Sequence, residues 1–300
     1  MNSSVLIIGY GSIGKRHAKI LRNRFKFKNI IIFTKQKLKN FKTINKLSDV
    51  KKLDPFYIVI ASVTSLHFKH LKYIEKNFSN KKILIEKPIF EKYKKLKIKK
   101  NKVFVGYNLR FNRAINFVKN FIVNKKVIDI KILCNSYLPN WRKNINYKKS
   151  SSASKSLGGG VILDLSHELD YARYLFGDIL VKFIVKGKFS NLSINTEDLL
   201  KLYGKIGKAN LSIDLNYYSK IEKRTLTIDG MNFSIFVDLK KNYLEVKKNN
   251  SCYVKKFSNT ADDTYISQHK EILMEKPSHA CNYRFALDTM KLIDKIKSVK

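Results

Sequence analysis

Acidic residues are scarce in this chain: 23 Asp and Glu stand against 61 Lys and Arg, and the first acid along the sequence is Asp49. A formal charge of +38 would ordinarily point to nucleic acid or an anionic membrane surface. The excess, however, is lysine (52 residues, against 9 arginines), spread over the whole length, with only 4 Pro and 12 Gly beside it. That profile reads as nucleotide bias in the gene, since lysine at exposed positions changes stability little. No specific nucleic-acid partner is expected. Cysteine is equally sparse: Cys134, Cys252 and Cys281 are widely spaced and form no CxxC pair, which argues against a disulfide framework and a metal site. The longest apolar runs, such as 5–8 and 57–61, fall far short of the roughly 18 to 20 residues of a membrane span, so no membrane partner is expected. The opening MNSSVLIIGYG has no basic leader region. A cytoplasmic location is expected.

Three hundred residues exceed one compact core and suit two domains. In the first third, short apolar runs alternate with amphipathic stretches. Strands are predicted over 5–8, 29–33, 57–61, 82–85 and 103–106, with helices over 12–22 and 66–77. This is the outline of a doubly wound, parallel α/β Rossmann domain, assigned to 1–111. The run KYKKLKIKKNK at 92–102 reads as a solvated helix face. After a helix over 112–123 the pattern changes to longer alternating strands, over 127–134, 180–186, 199–205, 209–215, 224–229, 233–238, 243–247 and 251–257. Asp229-Gly230 and Asn249-Asn250 are read as turns. The second domain, 112–300, is thus expected to be α+β with a large, mostly antiparallel open sheet. One helix over 167–176 is embedded in it, and helices over 264–274 and 283–296 close the chain, candidates to pack back on the first domain.

Gly9-Tyr10-Gly11-Ser12-Ile13-Gly14 places GxGxxG between a predicted strand and a predicted helix. The first Gly permits a tight turn, the second lets the backbone approach a pyrophosphate, and the third lets strand and helix pack closely. An NAD site usually carries Asp or Glu about 20 residues on, at the end of strand 2. Here that position offers Thr34-Lys35-Gln36-Lys37, a hydroxyl and cations that suit the 2′-phosphate of NADP. NADP(H) is therefore favoured slightly over NAD(H).

With GxGxxG, IVIASVTSLH at 58–67, EKP at 86–88, GYNLRF at 106–111 and GGGVILDLSHELDYARYLFG at 158–177, the chain resembles the glucose-fructose oxidoreductase/inositol dehydrogenase/MocA (Gfo/Idh/MocA) family. The resemblance runs in order through nearly all of residues 3–178. It implies an NAD(P)-dependent dehydrogenase or reductase acting on CH–OH groups of a sugar, a sugar derivative or a cyclitol. It also implies that the open sheet forms a homo-oligomer, a dimer or tetramer. The stretch YLPNWRKNINYKK at 137–149 looks like a subgroup linked to surface-glycan sugars, nucleotide-activated ones included. In the family the EKP lysine and a downstream Asp and His surround the nicotinamide and the substrate carbinol. The cofactor set this carries over is Gly9, Gly11, Ser12, Ile13, Gly14, Thr34, Lys35, Ala61, Thr64, His67, Glu86 and Lys87.

The residues support those roles on their own chemistry. Lys87 follows an apolar strand, at the end of the sheet where open α/β sheets bind ligands, and there its amine can bind a substrate oxygen and stabilise charge as a proton leaves. Pro88 restricts the backbone of Lys87 and is compatible with a cis bond. Glu275-Lys276-Pro277 repeats the triplet after a predicted helix and reads as a helix end. His167, with Asp164 and Asp170 three residues to either side, suits a proton shuttle whose tautomer a carboxylate fixes. The family commonly spaces Asp and His by four, and here the spacing is three. Asn108 and Arg110, with Tyr107, either line the cleft or pack. Trp141 and Arg142 either stack on and bind a sugar or anionic group, or serve packing. The substrate-binding set is thus Lys87, Asn108, Arg110, Trp141, Arg142, Asp164 and His167, with Lys87, His167 and Asp164 catalytic. A non-catalytic dinucleotide or sugar sensor of the same fold is the rival reading.

Overall fold

A computed structural model describes residues 4–142, 146–258 and 260–299. The chain forms two compact units: residues 1–108 with 262–290, and residues 109–261 with 291–300.

In the first unit the order is β1 (Val5–Ile8), α1 (Ser12–Asn23), β2 (Ile30–Phe33), β3 (Lys42–Ile44), β4 (Tyr57–Ile60), α2 (Thr64–Asn77), β5 (Lys82–Ile85) and β6 (Lys102–Val105). With the short β15 (Cys281–Asn282), the sheet runs β15-β6-β5-β4-β1-β2-β3, parallel throughout except where β15 meets β6. The order 3-2-1-4-5-6 is that of a dinucleotide-binding Rossmann sheet. Strands β1 and β4, VLII and YIVI, are buried at every residue, as expected of central parallel strands covered on both faces. One face packs Val5, Ile7, Ala18, Leu21, Tyr57, Val59 and Leu84 together with Ile272. β3, the three-residue edge strand KTI, was not predicted. The lysine run at 92–102 is not helical. Its Lys99 and Lys100 N–H groups donate to the buried Glu75 carboxylate at 2.8 and 2.9 Å, and the Tyr283 hydroxyl bridges the N–H and C=O of Leu96 at 2.9 Å each. Those tertiary partners satisfy the backbone in place of helical bonds.

The second unit comprises α3 (Arg113–Phe121), β7 (Val127–Tyr137), α4 (Val161–Asp164), α5 (His167–Phe176) and β8 (Ile179–Gly187). These are followed by β9 (Leu199–Ile206), β10 (Ala209–Asn216), β11 (Tyr218–Gly230), β12 (Phe233–Asp238), β13 (Tyr243–Lys248) and β14 (Ser251–Lys256). Its eight strands lie in the order β14-β13-β12-β11-β7-β10-β9-β8, antiparallel except where β7 meets β10. Alternation sets one face into the core, through Ile130, Ile132, Leu202, Ile213, Leu226, Ile235 and Val246. The opposite face exposes Phe183, Tyr203 and Phe236. Asp229 and Gly230 are not a turn: they continue β11 in register with Ser234 and Phe233, and Met231-Asn232 makes the turn, Asn232 at φ +66°. Asn tolerates that left-handed conformation, so the Gly was not needed there.

The chain then supplies α6 (Asp263–Leu273) and β15 (Cys281–Asn282) to the first unit, and ends in α7 (Tyr283–Ser298).

Candidate active site

The phosphate loop follows from its glycines. Gly9 leaves β1 at φ +100°, and a Cβ there would stand 2.6 Å from the carbonyl oxygen of Ala61. A Cβ on Gly14 would collide with the carbonyl of Gly9, so α1 can lie this close to the strand only with glycine at both places. Over Gly11, by contrast, nothing lies within 4 Å of where a Cβ would be. Gly11 is also the N-cap of α1, contributes no side-chain cap, and is followed by no acidic residue in the first turn. Open space, uncapped N–H groups and the positive end of a helix fit a pyrophosphate. Ser12 and Ile13 begin that helix, Ser12 exposed and Ile13 half-buried.

At the end of β2, the Thr34 hydroxyl accepts the N–H of Gln36 at 3.2 Å, and the Gln36 amide donates to the Tyr10 carbonyl at 3.3 Å. Lys35 and Lys37 are exposed. Tyr10 meets Phe41 edge-on, with ring centroids 5.9 Å apart, and the Arg22 guanidinium lies 3.8 Å above Phe41.

His67 and His70 on α2 sit beside the loops after β4 and β5, and a third buried histidine, His269, lies on α6. His67 is buried, with Nδ1 3.1 Å from the carbonyl of Pro88 and 3.2 Å from that of Ile89, and Nε2 3.0 Å from that of Ser62. It ties the loop that follows β4 to the Lys87-Pro88 segment. His70 meets the Ser62 hydroxyl at 3.0 Å. Burial lowers the pKa of His67, partly opposed by the carbonyls of Ser62, Pro88 and Ile89. Burial, with His67 and Lys69 adding to it, brings His70 down to about 4. His269 on α6 lies well below 6.5, through burial and then the neighbouring His17. All three bind protons less readily in the fold than when unfolded. Their contribution to stability is present above an unfolded pKa near 6.5 and is lost as pH falls below it. At about 1.4 kcal/mol per pKa unit, His70 alone removes roughly 3 kcal/mol by pH ~4. The urea midpoint should drop steeply on the acid side of neutrality, and His70→Gln should flatten that limb. An unchanged slope would contradict the assignment.

Lys87 is half-buried immediately after β5, its N–H donating to Glu86 Oε2 at 3.2 Å and its bond to Pro88 cis. Thr64 opens α2, and Asn108 is buried with its amide donating to the Thr264 hydroxyl at 2.7 Å. Tyr107 is fully buried.

In the second unit, the chain breaks at Leu165-Ser166, so Asp164 ends α4 while His167 begins α5. The expected single helical face is therefore two short helices in sequence. The Asp164 carboxylate accepts from the Tyr217 hydroxyl at 2.5 Å. Tyr217 is fully buried, meets Trp141 edge-on at 5.1 Å, and has its pKa raised well above 10 by burial and then by Asp164, so it remains a donor. Asp170 is bound in a two-pronged pair with Arg110, at 2.8 and 2.7 Å. The two side chains are 2% and 4% exposed, respectively. Glu168 makes a similar pair with Arg224 of β11 at 2.7 and 3.1 Å. Two forked ion pairs thus fix α5, and His167 rides half-buried on its first turn. Trp141 and Arg142 lie beside Leu138, Pro139, Tyr147 and Ser150; residues 143–145 of that stretch lie outside the described residues.

Sequence reasoning missed Tyr217, His17, His269 and the Arg110–Asp170 pair. Cys134, buried, is pushed up to about 12 by desolvation and then Glu168, which removes thiolate chemistry at neutral pH. Among the described residues no group of three or more His, Cys, Asp and Glu could hold a metal ion, and no helix is long and apolar enough to cross a membrane.

Residues 3–107 match the family described as "Oxidoreductase family, NAD-binding Rossmann fold" (GFO_IDH_MocA). No curated protein matches the chain. Among solved structures, levoglucosan dehydrogenase in complex with NADH superposes with a TM-score of 0.82 at 17% identity, over 99% of this chain and 96% of that one. The WlbA dehydrogenase of Bordetella pertussis, in complex with NADH and UDP-GlcNAcA, gives 0.79 at 16% identity over 98% and 95%. UDP-N-acetylglucosamine 3-dehydrogenase GnnA of Acidithiobacillus ferrooxidans gives 0.76 at 13% identity over 99% and 97%.

Proposed function

We propose that the chain, whose residues 3–107 match the NAD-binding Rossmann model of the Gfo/Idh/MocA oxidoreductases, is an enzyme of that kind and moves a hydride between a nicotinamide and a carbinol or carbonyl carbon of a sugar-type substrate. Sugars, sugar derivatives and cyclitols form that class, and nucleotide-activated sugars stand first within it. The reading is carried by one observation: Lys87 projects from the carboxyl end of β5 in the same unit as the open phosphate loop at Gly11. When bound, the dinucleotide supplies the redox chemistry. The α1 N-terminus and the Gly11 backbone hold its pyrophosphate. The carboxylate-free end of β2, with Thr34, Lys35 and Lys37, favours NADP(H) slightly.

Lys87 binds and polarises the substrate oxygen, and His167 takes or returns the hydroxyl proton. The role of His167 rests on the resemblance together with its rigid setting on α5. Asp164, held through Oδ2 by Tyr217, is proposed to orient it, whereas both Asp170 oxygens are bound by Arg110. An indole and a guanidinium side by side, Trp141 and Arg142, suit a sugar or anionic group there. Exposed Phe183, Tyr203 and Phe236 on the open sheet support a homo-oligomer formed through that face. The protein acts in the cytoplasm.

Calorimetric titration with NAD(H) and NADP(H), followed by nicotinamide absorbance on a panel of nucleotide sugars, free sugars and cyclitols, tests the proposal. Micromolar-range binding of a dinucleotide and turnover of one panel class are expected; failure to bind either dinucleotide would sink it. His167→Asn should lower turnover by about 100-fold while cofactor affinity holds.

A further inference from the structure

The Glu86 carboxylate stands at the end of a buried path of four side chains in the first unit. Glu86 Oε1 lies 2.9 Å from His17 Nε2, His17 Nδ1 lies 2.8 Å from His269 Nε2, and His269 Nδ1 lies 3.0 Å from the Tyr57 hydroxyl. Tyr57, His17 and His269 are fully buried, and Glu86 is 8% exposed. The two imidazoles meet edge to face, 4.9 Å between centroids. None of these three partners has a part in the chemistry proposed above, yet they place two of the chain's 6 histidines in a core where unmet polar groups are costly.

The protons on this path have one arrangement that leaves no atom idle. A carboxylate only accepts, so His17 carries its hydrogen on Nε2. Its Nδ1 then accepts from His269 Nε2–H, and His269 Nδ1 accepts from the Tyr57 hydroxyl. The electrostatics agree: burial keeps His269 neutral and holds the Tyr57 phenol well above its ordinary pKa, so it retains its hydrogen. The opposite polarity, with His17 as imidazolium, would leave the buried Tyr57 hydrogen without an acceptor among the described residues. On its other oxygen, Glu86 takes the N–H of Lys87. Gly106 leaves the space it needs, since a Cβ there would stand 2.7 Å from Oε1. His17 lies on α1, three residues past the last glycine of the phosphate loop.

We infer that His17 and His269 are positioning residues for Lys87. The directed path from Tyr57 fixes the carboxylate that holds the Lys87 backbone, and so joins the dinucleotide-binding helix to the strand end that presents the amine. This rests on the role of Lys87 given above. Both histidines act through Glu86 and exchange no proton with substrate.

Two-bond 1H–15N spectra of the 15N-labelled protein, assigned through His17→Gln and His269→Leu, should show both rings in the Nε2–H form near neutral pH. His17→Leu should lower kcat by about 100-fold and His269→Leu by about tenfold, with dinucleotide Kd within about twofold of wild type. His17→Gln, whose amide nitrogen can still donate to Glu86, should recover most of the loss. An Nδ1–H form of either ring, or folded leucine variants with wild-type kcat, overturns the inference. If His17→Leu does not fold, His269→Leu and His17→Gln decide it. A wild-type protein that binds dinucleotide but turns over no substrate instead sinks the functional reading, and this inference with it.

Discussion

Lys87→Met should lower turnover by about 10³-fold and leave dinucleotide affinity and melting temperature near wild type. Methionine keeps the length and the apolar stem but lacks the charge that holds a developing alkoxide, so the loss falls on kcat and not on cofactor binding. The cofactor loop is built by Gly9, Gly11 and Gly14, at the junction of β1 and α1, and owes nothing to the amine. Folding should tolerate the change because Lys87 is only half-buried, and its N–H bond to Glu86 is a backbone contact any residue can make. Lys276→Met is the matched control. Lys276 stands in the same triplet, but exposed and just past the end of α6, and its removal should change nothing measurable. Steady-state rates on the accepted sugar, beside a cofactor titration, decide the matter: a Lys87→Met enzyme within tenfold of wild type would take the lysine out of the mechanism.

The second large effect is on stability. Arg110→Met should cost about 3–5 kcal/mol in urea unfolding, because it strands the Asp170 carboxylate at 2% exposure with its forked partner gone. Replacing both members with apolar residues, Arg110→Met with Asp170→Leu, should return much of that loss, since the cost lies in the uncompensated charge. The experiment also separates two readings of Arg110. A substrate-binding arginine would raise KM and leave the unfolding midpoint in place, whereas a structural one moves the midpoint and, through α5, the setting of His167.

What was legible in the sequence was local. VLII and YIVI announce buried parallel strands by composition alone, and the glycine spacing at 9, 11 and 14 announces the turn between β1 and α1. Lys87 stood out among 52 lysines because its strand and the phosphate loop were both readable. Partners far apart in the chain left no such signal. Tyr217 reaches Asp164 across 53 residues, Arg110 reaches Asp170 across 60, and His17 reaches His269 across 252. Spacing cannot reveal a hydrogen bond closed only by the tertiary fold. The same cause explains the errors of detail. The lysine run at 92–102 has helix-compatible spacing, but Glu75 and Tyr283 claim its backbone; β3 is three polar-edged residues with no periodicity to detect.

The return of residues 262–290 to the first unit has a consequence for biosynthesis. Ile272 completes the hydrophobic face of the Rossmann sheet, and His269 completes the path to Glu86, yet both leave the ribosome after the whole antiparallel sheet of the second unit. The first unit therefore emerges early and waits for the Ile272 and His269 contacts through more than half of translation. Its closure is among the last events of folding, and the nascent amino-terminal segment is the part of this chain with most need of a chaperone.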